Sequence, residues 1–253
     1  MLLPADLATK LTPEYVSSLP NEMKAELLEL LEEREKVLAE TKLYQLYPAT
    51  GRLRREAYPK HMQFFAAGAQ HQERCVMAAN RIGKTWGIGG YETALHLTGD
   101  YPDWWVGYRF NNPIDAWAAG DTTETTRDIL QVALLGQPGE LGRGLIPAAR
   151  IVGEPTKRGG GVVGAVDTVK VRWGDTDQAS ALGFKAYDQG RKKFQGTAKD
   201  LIWLDEEPPE DVYDECMMRL MTTDGLMLCT FTPLLGMSKI AKRFLDVLAP
   251  SAE

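Results

Sequence analysis

Three short segments carry residue types whose spacing can do chemistry. The first is Ala78-Ala79-Asn80-Arg81-Ile82-Gly83-Lys84-Thr85. It matches the pattern G-x-x-x-x-G-K-[ST] except that Ala78 stands where the first glycine usually is. Gly83 lets the backbone approach an anion closely. Lys84 brings a compact positive charge to the β- and γ-phosphates of a nucleotide. The Thr85 hydroxyl can bind Mg²⁺. The second segment, Leu201-Ile202-Trp203-Leu204-Asp205-Glu206, is an apolar run ending in two carboxylates. Asp205 there can hold Mg²⁺ through its water shell, and Glu206 can orient and deprotonate an attacking water. The third, Leu226-Met227-Leu228-Cys229-Thr230-Phe231-Thr232-Pro233, ends in small hydroxyl residues that could sense a γ-phosphate. Pro233 stops its ladder.

The elements around these segments must position them. Cys75 to Ala78 reads as a short buried strand and Trp86 to Leu97 as a helix. Backbone N–H groups at that helix start would face the anion. Ala116 to Ala119 reads as a strand and Thr122 to Leu135 as a helix. Val169, Val171 and Trp173 alternate as in a half-exposed strand, and Ala181 to Tyr187 could pair with it. Leu201 to Leu204 and Leu226 to Phe231 are continuous apolar runs, as in central strands of a parallel sheet covered on both faces. Extended alternation turns Glu207 away from Glu206. The order is mainly βα, with an antiparallel insert near 160–190.

Upstream, residues 20–40 form an amphipathic pattern with Met23, Leu27, Leu30, Leu31 and Leu38 on one face, and Asn21 fits the N-cap. Residues 44–60 read as a linker with two prolines, a glycine and basic Arg52, Arg54 and Arg55. That basic cluster is either a solvated face or a DNA-phosphate contact. The expected division is a helical extension and linker over 1–55 and a nucleotide-binding domain over 56–253.

Composition narrows the function classes. Across 253 residues, 44% are apolar and 25% charged, which excludes collagen-like and low-complexity chains. Net charge is −6, so nucleic acid is not announced by charge alone. No run reaches the roughly 18 apolar residues of a membrane helix, and no secretory signal is visible. Three widely spaced cysteines fit a reducing cytosol. Three histidines without HExxH or paired CxxC argue against zinc, and G-x-S-x-G is absent. Trp104 and Trp105 fit packing, with base stacking as the alternative.

The segments AANRIGKT (78–85), LIWLDEEP (201–208) and TFTP (230–233), with YPKHMQ (58–63) upstream, together resemble the ATPase domain of the large terminase subunit of tailed bacteriophages. The resemblance covers about residues 55–248. It implies an ASCE/RecA-like P-loop NTPase fold, α/β with a mainly parallel central sheet flanked by helices, antiparallel additions and an N-terminal helical segment. It implies ATP hydrolysis that drives double-stranded DNA into a procapsid, with ATP and Mg²⁺ as cofactors. Residues 78–85 would bind nucleotide, with Lys84 on the phosphates. Thr85 and Asp205 would hold Mg²⁺, and Glu206 would be the general base. Thr232, or Thr230, would couple hydrolysis to movement. Gln63 would read adenine, with Tyr58 stacking nearby. An arginine finger is also implied: Arg81 within the loop, Arg191 acting in trans, or Arg127. Implied partners are double-stranded DNA, the portal and procapsid, the small terminase subunit and further copies in a ring, in the host cytoplasm and with no membrane. About 20 residues follow the third segment, too few for the family's nuclease domain. DNA cutting is therefore not expected, and the chain reads as a motor domain alone or a split subunit. Two other readings stay open: a helicase-like P-loop ATPase and a nucleotide-gated assembly protein.

Overall fold

The computed structural model describes residues 12–157, 162–234 and 236–246. Its strands are β1 (Glu73–Met77), β2 (Asp115–Gly120), β3 (Ile151–Lys157), β4 (Val166–Arg172), β5 (Ala179–Ala186), β6 (Leu201–Asp205) and β7 (Leu226–Phe231). They form one seven-stranded sheet in the order β1-β7-β6-β2-β5-β4-β3. The first five in that order run parallel, and β4 and β3 extend the sheet antiparallel. This is the expected α/β P-loop NTPase architecture. The defining feature is β7, which stands between β1 and β6.

The apolar runs of β6 and β7 are buried at every position because alternate residues serve two cores. Leu201, Trp203, Leu226 and Leu228 join one core. Ile202, Leu204, Met227, Cys229 and Phe231 join the other. The first core is closed by α1 (Pro59–Ala67) and by α2, residues 84–98, which is π-wound over Lys84–Gly90 and α-helical over Tyr91–Thr98. Helix α3, residues 123–134, adds Leu130 and Leu134. The second core is closed by α4 (Glu210–Leu220) and α5 (Lys239–Asp246). A side chain as large and as fully buried as Trp203 would cost roughly 3–5 kcal/mol if truncated to alanine.

Three expectations change at the periphery. The amphipathic helix spans Asn21–Glu40, but Asn21 is inside it: the Pro20 carbonyl takes the first bond, from Lys24 N–H at 3.0 Å, so Pro20 fills the cap position. Met23 on its apolar face is exposed and Leu27, Leu30 and Leu31 are half-buried, while the Leu38 side chain lies outside the described residues.

The stretch expected as a linker, 44–60, is fastened to the body instead. Leu43 and Tyr47 are buried in the first core. Arg55 donates to the Tyr47 carbonyl at 2.9 Å and lies over the Trp104 ring. Its aromatic residues fill space above α2. Finally, β3 was not anticipated. Gly153 and Pro155 disguise it, and the register breaks between Val152 and Thr156. Proline is tolerated there because β3 is an edge strand.

Candidate functional site

The phosphate loop leaves β1 and turns through two left-handed residues, Arg81 at φ 67° and Gly83 at φ 88°. Lys84 then opens α2. Its first turns are π-wound, with Ile88 N–H reaching back to Gly83 O at 3.1 Å. A Cβ on Gly83 would stand 3.3 Å from His61 Cε1, and one on Gly87 only 2.8 Å from Tyr47 Oη. Tyr47 Oη is itself 2.6 Å from both Gly87 O and His61 Nδ1. The glycines therefore let a buried Tyr47–His61 pair support the loop from beneath. Burial holds the His61 imidazole below its ordinary pKa.

Lys84 is buried and curled into the loop. Its ammonium donates to Ala78 O at 2.6 Å, Ala79 O at 3.1 Å and Thr232 Oγ1 at 2.5 Å. Thr232 Oγ1 also lies 2.9 Å from Ala78 O and from Asn80 Oδ1. Across the neighbouring strand, Asp205 ends β6 and is 2% exposed. Thr85 Oγ1 is 3.1 Å from Asp205 Oδ2. Thr230 Oγ1 donates to Asp205 Oδ1 at 2.6 Å and accepts from Trp203 Nε1 at 2.8 Å. Burial pushes the Asp205 carboxyl up to about 6, against hydrogen bonds from Thr230 and Thr85. Glu206 follows in a left-handed conformation, φ 67°, half-exposed, with its N–H on Thr230 O at 3.0 Å.

One anion-binding turn and one acidic strand edge thus meet at the same point of one sheet. Hydroxyls at and just beyond the end of β7 touch both, Thr232 on the lysine side and Thr230 on the aspartate side. The donors facing each other at Thr85 and Asp205 are hard oxygens, a set that fits Mg²⁺.

The model of the terminase large subunit, T4likevirus-type, N-terminal family matches residues 75–252. This chain belongs to that terminase family. The large terminase subunit of Salmonella phage P22 is 36% identical over 249 residues, covering 91% of this chain and 48% of that protein. The chain thus spans about half the length of this curated relative. Among solved structures, a mutant of the large terminase ATPase domain of Thermus phage P74-26 is 16% identical with TM-score 0.47, covering 70% of this chain and 65% of that one. The large terminase of thermophilic bacteriophage D6E in complex with ADP is 11% identical with TM-score 0.44, covering 76% and 50%.

Not every residue that the terminase resemblance singled out lies at this centre. A cavity of about 520 Å³ opens beside the loop, lined by Tyr58, Lys60, His61, Phe64, Met77 and Ile82 among others. Tyr58 is in its wall, whereas Gln63 is exposed on α1 and outside the lining. Pro59–Ala67 is a regular helix, so Gln63, two residues beyond His61, falls on the opposite side of α1 from it.

The three arginines are dispersed. Arg81 is exposed at the loop apex. Arg191 binds Glu215 of α4 at 2.9 Å and is 45% exposed. Arg127 grips its neighbour Asp128 at 2.7 Å. Sequence reading missed Tyr47, His61 and Trp203, whose signal was only that of buried aromatics. Among the described residues, no three His, Cys, Asp or Glu side chains gather as a metal cluster. No described helix is long and apolar enough to cross a membrane.

Proposed function

We propose that this chain hydrolyses ATP and that, in a terminase large subunit, the hydrolysis moves double-stranded viral DNA into a procapsid. The observation that carries this reading is the Thr85–Asp205 contact, 3.1 Å across residues 120 apart in the chain. It supports seating the β/γ-phosphates of a nucleotide at that point. The N–H groups opening α2 face that place, and Lys84 can swing from the loop carbonyls to the phosphate oxygens. Thr85 and Asp205 would hold Mg²⁺, which neutralises charge on the β- and γ-oxygens when bound. Glu206 orients the attacking water and takes its proton.

Adenine is assigned to the cavity walled by Tyr58. Arg81 in the same subunit, or Arg191 from a neighbouring one in a ring, would offset charge on the γ-phosphoryl group. Exposure of both side chains supports either role. The partners that follow are double-stranded DNA, the portal and procapsid, the small subunit and further copies of the chain, at the portal in the host cytoplasm.

Turnover of ATP, measured with and without procapsid and small subunit, tests the proposal. Glu206→Gln should bind ATP and hydrolyse it about 10²-fold more slowly or worse. Lys84→Ala should lose the nucleotide-dependent stabilisation, about 2.7 kcal/mol at 100 times the dissociation constant. Normal turnover in Glu206→Gln would remove Glu206 from the mechanism, and ATP turnover that procapsids never convert into packaged DNA would remove the motor.

A further inference from the structure

Glu206 holds a backbone conformation that its residue type disfavours. A left-handed φ in a non-glycine residue costs of order 1–2 kcal/mol, and such strain persists only where neighbours enforce it. On one side, the Glu206 N–H is tied to β7 through Thr230 O. On the other side, the restraint comes from two strands away. Tyr187 directly follows β5, and its phenol reaches past the end of β2. Its Oη is 3.1 Å from Asp205 O, 3.2 Å from Glu206 O and 3.3 Å from Ala119 O.

One buried hydroxyl therefore faces the carbonyls on both sides of the Glu206 Cα, and one from the adjacent strand. The ring is buried and packs beside Phe194, with centroids 6.4 Å apart.

We propose that Tyr187 is a positioning residue for Glu206: its hydroxyl holds the left-handed turn that aims the Glu206 carboxylate at the attacking water. The inference rests on the reading of Glu206 as general base. Without the hydroxyl, the 205–206 peptide is free to relax towards extended φ. Extended geometry alternates side chains, so relaxation re-aims the Glu206 carboxylate relative to its neighbour Asp205. Lys84 and Thr85, which would hold the phosphates and metal, belong to another segment and keep their own backbone.

Tyr187→Phe keeps the ring and deletes only the hydroxyl. The expected result is a fall in kcat of roughly tenfold to a hundredfold, with KM for ATP and the nucleotide-induced shift in Tm unchanged. In a Glu206→Gln background, Tyr187→Phe should lower kcat no further, because the group it aims is already disabled. A melting curve taken alongside corrects kcat to the folded fraction, and single-turnover hydrolysis at saturating ATP reads the chemical step directly. Parental kcat in Tyr187→Phe, or an equal loss in both backgrounds, would overturn the inference while leaving Glu206 in place. Normal turnover in Glu206→Gln alone would overturn the general-base reading and this inference with it.

Discussion

The Thr85 hydroxyl stands 3.1 Å from Asp205 Oδ2, with strand β7 lying between the strands that deliver them. Under the proposed function, two oxygens so placed would make metal binding separable from nucleotide binding. Thr85→Val keeps the side-chain shape and removes the hydroxyl. Nucleotide affinity with Mg²⁺ present should weaken about tenfold or more, about 1.4 kcal/mol, while affinity in EDTA stays as in the parent. Titration of a fluorescent ATP analogue under both conditions measures this. Equal weakening in both would show that the hydroxyl only supports the fold.

Thr232 touches Lys84 and the loop, not Asp205. Its loss should therefore disturb communication more than chemistry. Thr232→Val is expected to retain ATP turnover within a few-fold and to lose DNA packaging by about tenfold or more. Parallel ATPase and packaging assays decide it; a proportional loss of both would place Thr232 in hydrolysis itself.

The indole of Trp203 occupies the space that a side chain at position 89 would need. A Cβ on Gly89 would overlap Trp203 Nε1, at 2.2 Å. Gly89→Ala should destabilise the protein by about 1–3 kcal/mol through overpacking. It should also weaken nucleotide binding, since Trp203 is the donor that orients Thr230 towards Asp205. Urea unfolding and nucleotide titration read the two effects.

Away from the nucleotide, a buried ionic network pins α2 to β1. Arg74 grips both Glu92 carboxylate oxygens, at 2.6 and 3.1 Å, and His96 Nε2 lies 3.2 Å from Glu92 Oε1. Burial alone would raise the Glu92 pKa, but the Arg74 guanidinium and His96 outweigh it and the net shift is downward. Burial lowers the His96 pKa despite its bond to Glu92. Both groups bind protons less readily when folded, so in the window below the unfolded value the unfolded state takes up more protons. The contribution of this network to stability is therefore full above pH 6.5, the unfolded histidine value. It falls as the solution is acidified, and falls further below 4.5, the Glu92 reference. Thermal unfolding across that range checks the slope, and His96→Gln should flatten its upper part. Arg74→Met leaves Glu92 in the core with His96 but without its cationic partner and should cost about 3–5 kcal/mol.

Much of this was legible in the residues themselves. An apolar run such as Leu201–Leu204 must be buried on both faces, and only a central parallel strand offers that. A Gly-Lys-Thr turn between a strand and a helix has one natural ligand class. Where residues were judged by local pattern, as in β1, β2, β6 and β7, the structure agrees to within a residue or two. Where they depended on distant neighbours, it does not. Tyr47 looks like a linker residue until α2 arrives above it. Pro155 looks like a strand breaker until β3 turns out to be an edge.

Sequence alone determined the chemical inventory: an anion-binding turn, two acids at a strand end, hydroxyls at another. Tertiary structure decided their partnership. Strand order is a long-range property, set by how crossover helices pack rather than by any run of residues. By inserting β7 between β1 and β6 it put Thr230 on the aspartate and Thr232 on the lysine. It also brought the Tyr187 hydroxyl against the carbonyl of a glutamate 19 positions along the chain.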